Sequence, residues 1–181
     1  MPADTPITFA AGALAAGDLN AGRNLLRYLG GFVAGSKPFA RVRASAAVSL
    51  PLSADWNDLT FDTVVYNRGE TLLFDAGAPT VFTVPSTGFY LFGACARTEA
   101  TTANKALRIT SAAQGTLVQH DNIGVSVPAF TTMNVASCAR LAAADTIKAQ
   151  VYQDAGATIT AIVEGVASPV FWCSWYAIDD D

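Results

Sequence analysis

Residues 88–98 read GFYLFGACART. Aromatic and small apolar residues with no interior proline are typical of a β-strand. In an extended chain, one face of this segment carries Phe89, Leu91, Gly93 and Cys95, and the other carries Tyr90, Phe92, Ala94 and Ala96. Neither face is polar, whereas an antiparallel strand of a sandwich normally turns one polar face to water. The segment therefore predicts a strand that is covered on both sides.

The last apolar segment of the chain, 170–178, repeats this two-sided pattern. One face carries Val170, Trp172, Ser174, Tyr176 and Ile178, and the other carries Phe171, Cys173, Trp175 and Ala177. A second subunit is the natural cover, since burying a large apolar side chain contributes about 1.5–3 kcal/mol. The alternative is that the protein's own N-terminal segment covers this face.

Short runs of β-branched and aromatic residues, separated by Gly, Pro, Asn and Asp, continue through the chain from Phe39. Such runs predict strands, and Asn or Asp followed by Gly predicts hairpin turns at 67–69, 75–77 and 154–156. The predicted strands are 39–50, 62–67, 71–74, 80–84, 88–98, 105–111, 116–120, 130–141, 146–153, 158–163 and 170–178. The fold class predicted is all-β, an antiparallel sandwich of about ten strands in two packed sheets.

The amino-acid composition limits the classes of partner that the protein can bind. The chain has 181 residues and is 14% charged, against about 25% in typical soluble domains. Fifteen acidic and eleven basic residues give a net charge of −4, which excludes the electropositive surface that nucleic-acid binding needs. The sequence contains no run of about 18 strongly apolar residues, so it does not predict a membrane-spanning segment. The low charged share favours an oligomer, because interface cores are depleted in charge.

Residues 1–36 differ from the remainder, since they are rich in Ala and Gly and lack alternation. Asp18 can cap a short helix that carries Leu25, Leu26 and Leu29 and ends at Gly30. The segment has no basic region before its apolar residues and does not predict a secretion signal. We therefore predict two parts, an N-terminal arm over 1–36 and a β domain over 37–181.

The residue types that carry chemistry are scattered. His120, followed by Asp121, is the one histidine, and a strand-end role is favoured over a catalytic triad or metal site. Asp55, Asn57, Asp58 and Asp62 contain oxygen ligands suited to calcium, although turn and cap roles explain the same residues. Cys95, Cys138 and Cys173 are interpreted as buried free thiols. The sequence predicts no enzyme, no catalytic residue, no cofactor and no metal.

One family resemblance extends these inferences. Residues 82–92 read FTVPSTGFYLF, which is similar to the Phe-Thr-x-Pro-x-x-Gly-x-Tyr-x-Phe stretch of the C1q and tumour-necrosis-factor-like jelly roll. The matching positions are Phe82, Thr83, Pro85, Gly88, Tyr90 and Phe92. Residues 67–70 and 39–44 also resemble the family, as does the segment 136–147, in which Ala144 stands where the family usually has Gly. The final strand matches only in position, and the resemblance covers about residues 39–178.

The resemblance implies a homotrimer of ten-stranded jelly rolls whose role is binding or assembly. Candidates for the trimer interface or the core are Tyr90, Phe92, Trp172, Trp175 and Tyr176. Animal members of the family usually follow a collagen stalk, but this chain has no collagen-like repeat. Its alanine-rich arm instead resembles those of bacteriophage virion proteins. We therefore expect a virion location and a structural role, as a capsid decoration (cement) or head-fibre protein.

In this reading the arm docks on the major capsid protein or another virion protein. The docking candidates are Arg23, Leu26, Arg27 and Leu29. The alternative is a receptor-binding head of a phage tail fibre that recognises host surface glycans through loops at 98–104 and 121–128.

Overall fold

The computed structural model describes residues 38–52, 55–68, 73–122, 129–163 and 169–178. The predicted arm over 1–36, its helix and its four docking candidates lie outside the described residues. Within these ranges the chain forms twelve strands and no helix. The strands are β1 (Phe39–Arg43), β2 (Val48–Leu50), β3 (Asn57–Asp58), β4 (Thr63–Arg68), β5 (Val81–Thr83), β6 (Gly88–Thr101), β7 (Lys105–Ser111), β8 (Gly115–Asn122), β9 (Ala129–Leu141), β10 (Thr146–Gln153), β11 (Ile159–Ala161) and β12 (Val170–Ile178).

The strands form two antiparallel sheets, which confirms the predicted jelly-roll sandwich. The larger sheet has seven strands, and β6 is its centre, with β9 along one edge and β12 along the other. Beyond β12 lie β1 and β4, while β11 and β2 continue the β12 edge toward the end of β6. The smaller sheet has five strands in the order β3-β10-β7-β8, and β5 also pairs with β10.

The core fills the space between the sheets because each strand alternates its side chains. In β10, Ile147, Ala149 and Val151 are fully buried, whereas the residues between them are partly exposed. From the other sheet, the Phe171 ring stacks on Phe82 with centroids 4.3 Å apart. Burial of such pairs supplies the main stabilising free energy of the sandwich.

Two of the predicted strands differ from the structure, and one observed strand was not predicted. Predicted strand 39–50 is two strands, because the chain bends after Ala44 and the side chain of Asp62 accepts hydrogen bonds from the Ser45 backbone and hydroxyl at 2.7 and 2.5 Å. Of the predicted strand 71–74, the described part contributes only a bridge from Phe74 to Phe82. The two-residue β3 has no apolar alternation and was not predicted.

The predicted turns use their polar residues in different ways. Gly77 donates its N–H to Asp75 Oδ1 at 2.8 Å, so this turn is closed by its own first residue. Asp154 instead accepts hydrogen bonds from the backbone and side chain of Asn104 at 2.6 and 2.7 Å, which fastens the β10–β11 turn to the β6–β7 turn.

Ala144 occupies the left-handed backbone region, with a φ of 67°. The turn between β9 and β10 is held by hydrogen bonds from the Ala144 N–H to the Val84 carbonyl and from the Ser111 hydroxyl to the buried Asp145 carboxylate, at 2.8 and 2.6 Å. A residue with a Cβ is strained in this region, whereas glycine is not. The position at which the sequence departs from the family pattern is therefore a site of backbone strain.

We expect Ala144→Gly to stabilise the protein. Relief of left-handed strain outweighs the greater flexibility of glycine in the unfolded chain, for a net gain of about 0.5–1 kcal/mol in the free energy of unfolding. Urea denaturation would measure it. The control is Ala142→Gly in the same turn, where φ is not positive, and equal or lower stability is expected. A loss of stability in Ala144→Gly would contradict the assignment of strain.

Candidate functional site

The two sheets present different surfaces to the outside. On the smaller sheet, Lys148 Nζ lies 2.8 Å from Asp58 Oδ2, and the Arg108 guanidinium lies 4.0 Å from the ring centroid of Trp56. Such a charged and polar surface is typical of the wet side of an antiparallel sandwich. The smaller sheet therefore forms the solvent side of the molecule.

The outer surface of the larger sheet is instead rich in aromatic and aliphatic side chains. We define the apolar face as Phe39 on β1, Tyr66 on β4, Phe89 and Leu91 on β6, and Trp172 and Tyr176 on β12. The exposed fractions of Tyr176, Tyr66, Phe89 and Leu91 are 64%, 48%, 40% and 38%. A contiguous group of this kind marks an interaction surface.

Strand register brings the apolar face together across the sheet. Phe39 lies opposite Ser174, which lies opposite Leu91 on the next strand. At the sheet margin the rings of Phe39 and Tyr66 contact each other, with centroids 6.1 Å apart. Residues far apart in the chain thus form one continuous surface.

Gly93 lets Trp172 lie against the backbone of β6. The two residues are register partners, and a Cβ at Gly93 would come within 2.7 Å of the Trp172 ring. The indole therefore occupies space that any other residue at position 93 would fill. This close approach fixes the position of the partly exposed Trp172, which lies between Gly93 of β6 and Arg41 of β1.

Two of the predicted interface-or-core residues, Tyr90 and Phe92, are fully buried and belong to the core. The Tyr90 hydroxyl donates to the Ser86 carbonyl at 2.7 Å, and burial raises the pKa of Tyr90. Trp175 is partly buried and packs against the core. Of the five candidates, only Trp172 and Tyr176 reach the apolar face.

The residues that sequence reasoning did not select for the interface are Phe89, Leu91, Phe39 and Tyr66. Alternation separates Phe89 and Leu91 from Tyr90 and Phe92, but because both sets are apolar it does not say which set turns inward. The strand register places Gly93 and Trp172 on the Phe89 side, and the exposure of Phe89 and Leu91 identifies that side as the outer one.

Beside the apolar face, Arg41 and Arg43 of β1 line a groove along β4. The groove has a volume of about 390 Å³, and its other lining residues are Thr63, Val64, Val65 and Tyr66. The aliphatic stems of the arginines can cover apolar surface while their charged ends stay in contact with water. Arg41 is also the register partner of Trp172 and of Tyr66, so a cationic side chain lies between two members of the apolar face.

The predicted oxygen-rich cluster is not assembled. The Asp58 carboxylate accepts hydrogen bonds from Lys148 and Gln150. The Asp62 carboxylate accepts hydrogen bonds from Ser45, and these lower the pKa of Asp62. Across the described ranges, no group of three His, Cys, Asp or Glu residues could hold a metal ion. His120 Nδ1 lies 3.2 Å from the Asn134 carbonyl, so its neighbour is a strand backbone.

The three cysteines differ in exposure. Cys173 is buried, which raises the pKa of its thiol to about 12 and keeps it protonated at neutral pH. Cys95 is partly exposed and Cys138 is exposed, so the prediction that all three thiols are buried was wrong. Cys138 lies on the outward-facing side of β9. The sequence pattern alone does not distinguish an exposed free cysteine from a buried one.

The loops predicted for glycan contact are shorter than expected. β6 continues to Thr101, so only residues 102–104 of the predicted loop 98–104 connect strands. Asp121 and Asn122 belong to β8, and residues 123–128 lie outside the described residues. The described part of the chain also contains no helix able to cross a membrane.

No family model and no curated protein matches the chain. A crystal structure of murine APRIL at pH 5.0 matches with a TM-score of 0.60 and 14% identity, covering 78% of this chain and 100% of that one. The Eiger TNF from S. frugiperda matches with a TM-score of 0.55 and 16% identity, covering 81% and 96%. The fold is the tumour-necrosis-factor-like jelly roll.

We expect Gly93→Ala to destabilise the protein by about 1–3 kcal/mol, because the new methyl group forces the Trp172 ring off the sheet. Urea denaturation measures the stability, and near-ultraviolet circular dichroism reports the displaced indole. The control is Gly77→Ala, where the nearest atom to a new Cβ is 3.4 Å away. Equal stability of the two variants would contradict the close packing of Trp172 on β6.

Proposed function

We propose that the protein is a non-enzymatic homotrimer whose subunits meet through the apolar face, and that it acts by binding and assembly. The observation that supports this most directly is the contrast between the sheets. The smaller sheet carries the Lys148–Asp58 ion pair and polar networks outside, and the larger sheet carries Phe89, Leu91 and Tyr176 at 38–64% exposure. Another copy of the chain offers the same apolar surface.

The energetics favour such an assembly. Full burial of a large apolar side chain contributes about 1.5–3 kcal/mol. Tyr176, Tyr66, Phe89 and Leu91 are 38–64% exposed in the single subunit, so each gains about half of that value on association, and the sum over the subunits works against the entropy lost. Arg41 lies between Trp172 and Tyr66 on this surface, so its aliphatic stem can pack in the interface while its charged end keeps contact with water. Three copies, rather than two, are proposed because the C1q and tumour-necrosis-factor-like resemblance implies trimers.

For the biological setting, we propose a virion location, with the trimer as a capsid decoration or head-fibre protein held by residues 1–36. The composition of the arm supports this role, since it is rich in Ala and Gly and carries Arg23 and Arg27 beside leucines. Three arms on one trimer strengthen attachment, because the first contact raises the effective concentration of the other two.

Replacing Leu91 with Lys tests the interface. The side chain is 38% exposed in the single subunit, so the subunit can accommodate a lysine that reaches solvent, whereas a closed interface would bury three charges. We expect the mass in sedimentation equilibrium at micromolar concentration to fall from three chains to one chain of 18.8 kDa. The matched control is Gln119→Lys on the solvent side, which should remain trimeric. A monomeric wild-type protein would contradict the proposal.

Deleting residues 2–36 tests the arm. We expect a folded trimer that no longer co-sediments with particles assembled from the major capsid protein of the same genome. Circular dichroism and sedimentation establish that the variant is intact. Replacing both Arg23 and Arg27 with Ala should weaken particle binding in the same direction. Full-strength binding by the truncated trimer would overturn the docking role of the arm.

A further inference from the structure

The solvent side of the smaller sheet contains a polar groove that the trimer does not use. The groove has a volume of about 420 Å³, within the range of small-ligand sites. It is lined by Arg108, Thr110, Ser111, Ala112, Gly115, Thr116, Thr146, Lys148 and Gln150. Three strands contribute to it, since β10, β7 and β8 lie side by side here. Its walls thus come from paired strands and from Ala112 of the β7–β8 turn.

Arg108 is held in place by contacts at two points. Its Nε donates to Gln150 Oε1 at 2.9 Å, and its guanidinium lies 4.0 Å from the centroid of Trp56. The Trp56 ring is in turn packed on Tyr152, with centroids 5.8 Å apart. A guanidinium stacked on an indole keeps its plane and its position, which lowers the entropy lost when it binds a ligand.

The orientation of Gln150 is fixed from the other side. Its Nε2 donates to Asp58 Oδ1 at 2.6 Å, so its carbonyl oxygen is turned toward Arg108 and Thr110. Lys148 Nζ binds the second oxygen of the same carboxylate at 2.8 Å. Asp58 therefore organises the groove and has both oxygens engaged.

The hydrogen-bond donors of the groove that have no partner within the protein indicate the chemistry of its ligand. Among the described residues, the Nη groups of Arg108 have no hydrogen-bond partner, and this pair of donors matches the two oxygens of a carboxylate. Arg108 and Lys148 together with Asp58 give this cluster a net charge of +1, which suits a monoanion. The hydroxyls of Thr110, Thr116 and Thr146 line the same groove and can exchange hydrogen bonds with sugar hydroxyls.

We infer that this groove binds a carboxylate-bearing saccharide, with the carboxylate on Arg108 and the hydroxyls on the threonine side. A uronic acid and a sialic acid share this chemistry. The site lies within one subunit and on the sheet opposite the apolar face. Binding therefore requires neither the trimer nor a virion location, and either can fail without the other.

The test uses the full chain and a matched pair of probes. Methyl β-glucuronoside carries the carboxylate, and methyl β-glucoside is its neutral counterpart. Binding is followed by saturation-transfer NMR, with chemical-shift changes on the labelled protein to locate the site. We expect the glucuronoside to shift signals of Thr110, Thr116 and Gln150, and the glucoside to leave them unchanged at the same concentration. A sialic acid glycoside in a parallel titration distinguishes the two sources of the carboxylate.

Variants separate the site from general charge. Arg108→Gln should weaken glucuronoside binding by about tenfold or more, because a charge-assisted pair of hydrogen bonds is lost. Arg108→Lys should also weaken it, since the planar fork is lost while the charge is kept. The control is Arg97→Gln, which removes a guanidinium that lies 4.9 Å from the Phe130 ring centroid on the other sheet, and it should bind normally.

Three results would overturn the inference. One is equal binding of the glucoside and the glucuronoside, which would remove the role of the carboxylate. Another is unchanged binding in folded Arg108→Gln. The third is inorganic phosphate binding as tightly as the glucuronoside at the same signals, which would make the groove a general anion site.

Discussion

Strand β6 pairs with neighbours on both edges and is apolar on both faces, and the rest of the structure depends on how each face is covered. The inner face, with Tyr90 and Phe92, is covered by the smaller sheet and forms the core. The outer face carries Phe89 and Leu91, which the described chain leaves 40% and 38% exposed. Exposure of such side chains to water is unfavourable, and the same strand that builds the core also supplies the exposed apolar surface of the sandwich.

The sandwich is consequently asymmetric, and its two outer surfaces suit different kinds of partner. The apolar face offers a broad surface rich in aromatic and aliphatic side chains, which fits a second protein surface of the same kind. The smaller sheet offers fixed charges and hydroxyls around a groove, which fits a small polar ligand. One sheet can thus serve assembly while the other stays accessible for recognition.

Much of the fold could be predicted because strand alternation and turn residues are local features. The segments that became β6, β7, β9, β10 and β12 were placed within a few residues of their bounds. The short β3 was missed, since two residues show no periodicity. The polar groove could not be predicted, because Asp58 meets Lys148 and Gln150 from 90 and 92 positions away in the chain. The candidate calcium ligands between Asp55 and Asp62 also do not act together, because Asp58 and Asp62 bind residues elsewhere in the chain.

The sequence by itself determined that the chain forms apolar strands between polar turns, that some strands are apolar on both faces, and that a fold of this family type results. Only the tertiary structure decided which face of each strand is inside. Alternation fixes that neighbouring side chains point in opposite directions, but both choices are equally apolar here. Which face is inside depends on packing against residues that are distant in the chain. Trp172 packs over Gly93 on the outer surface, and Phe171 stacks on Phe82 in the core.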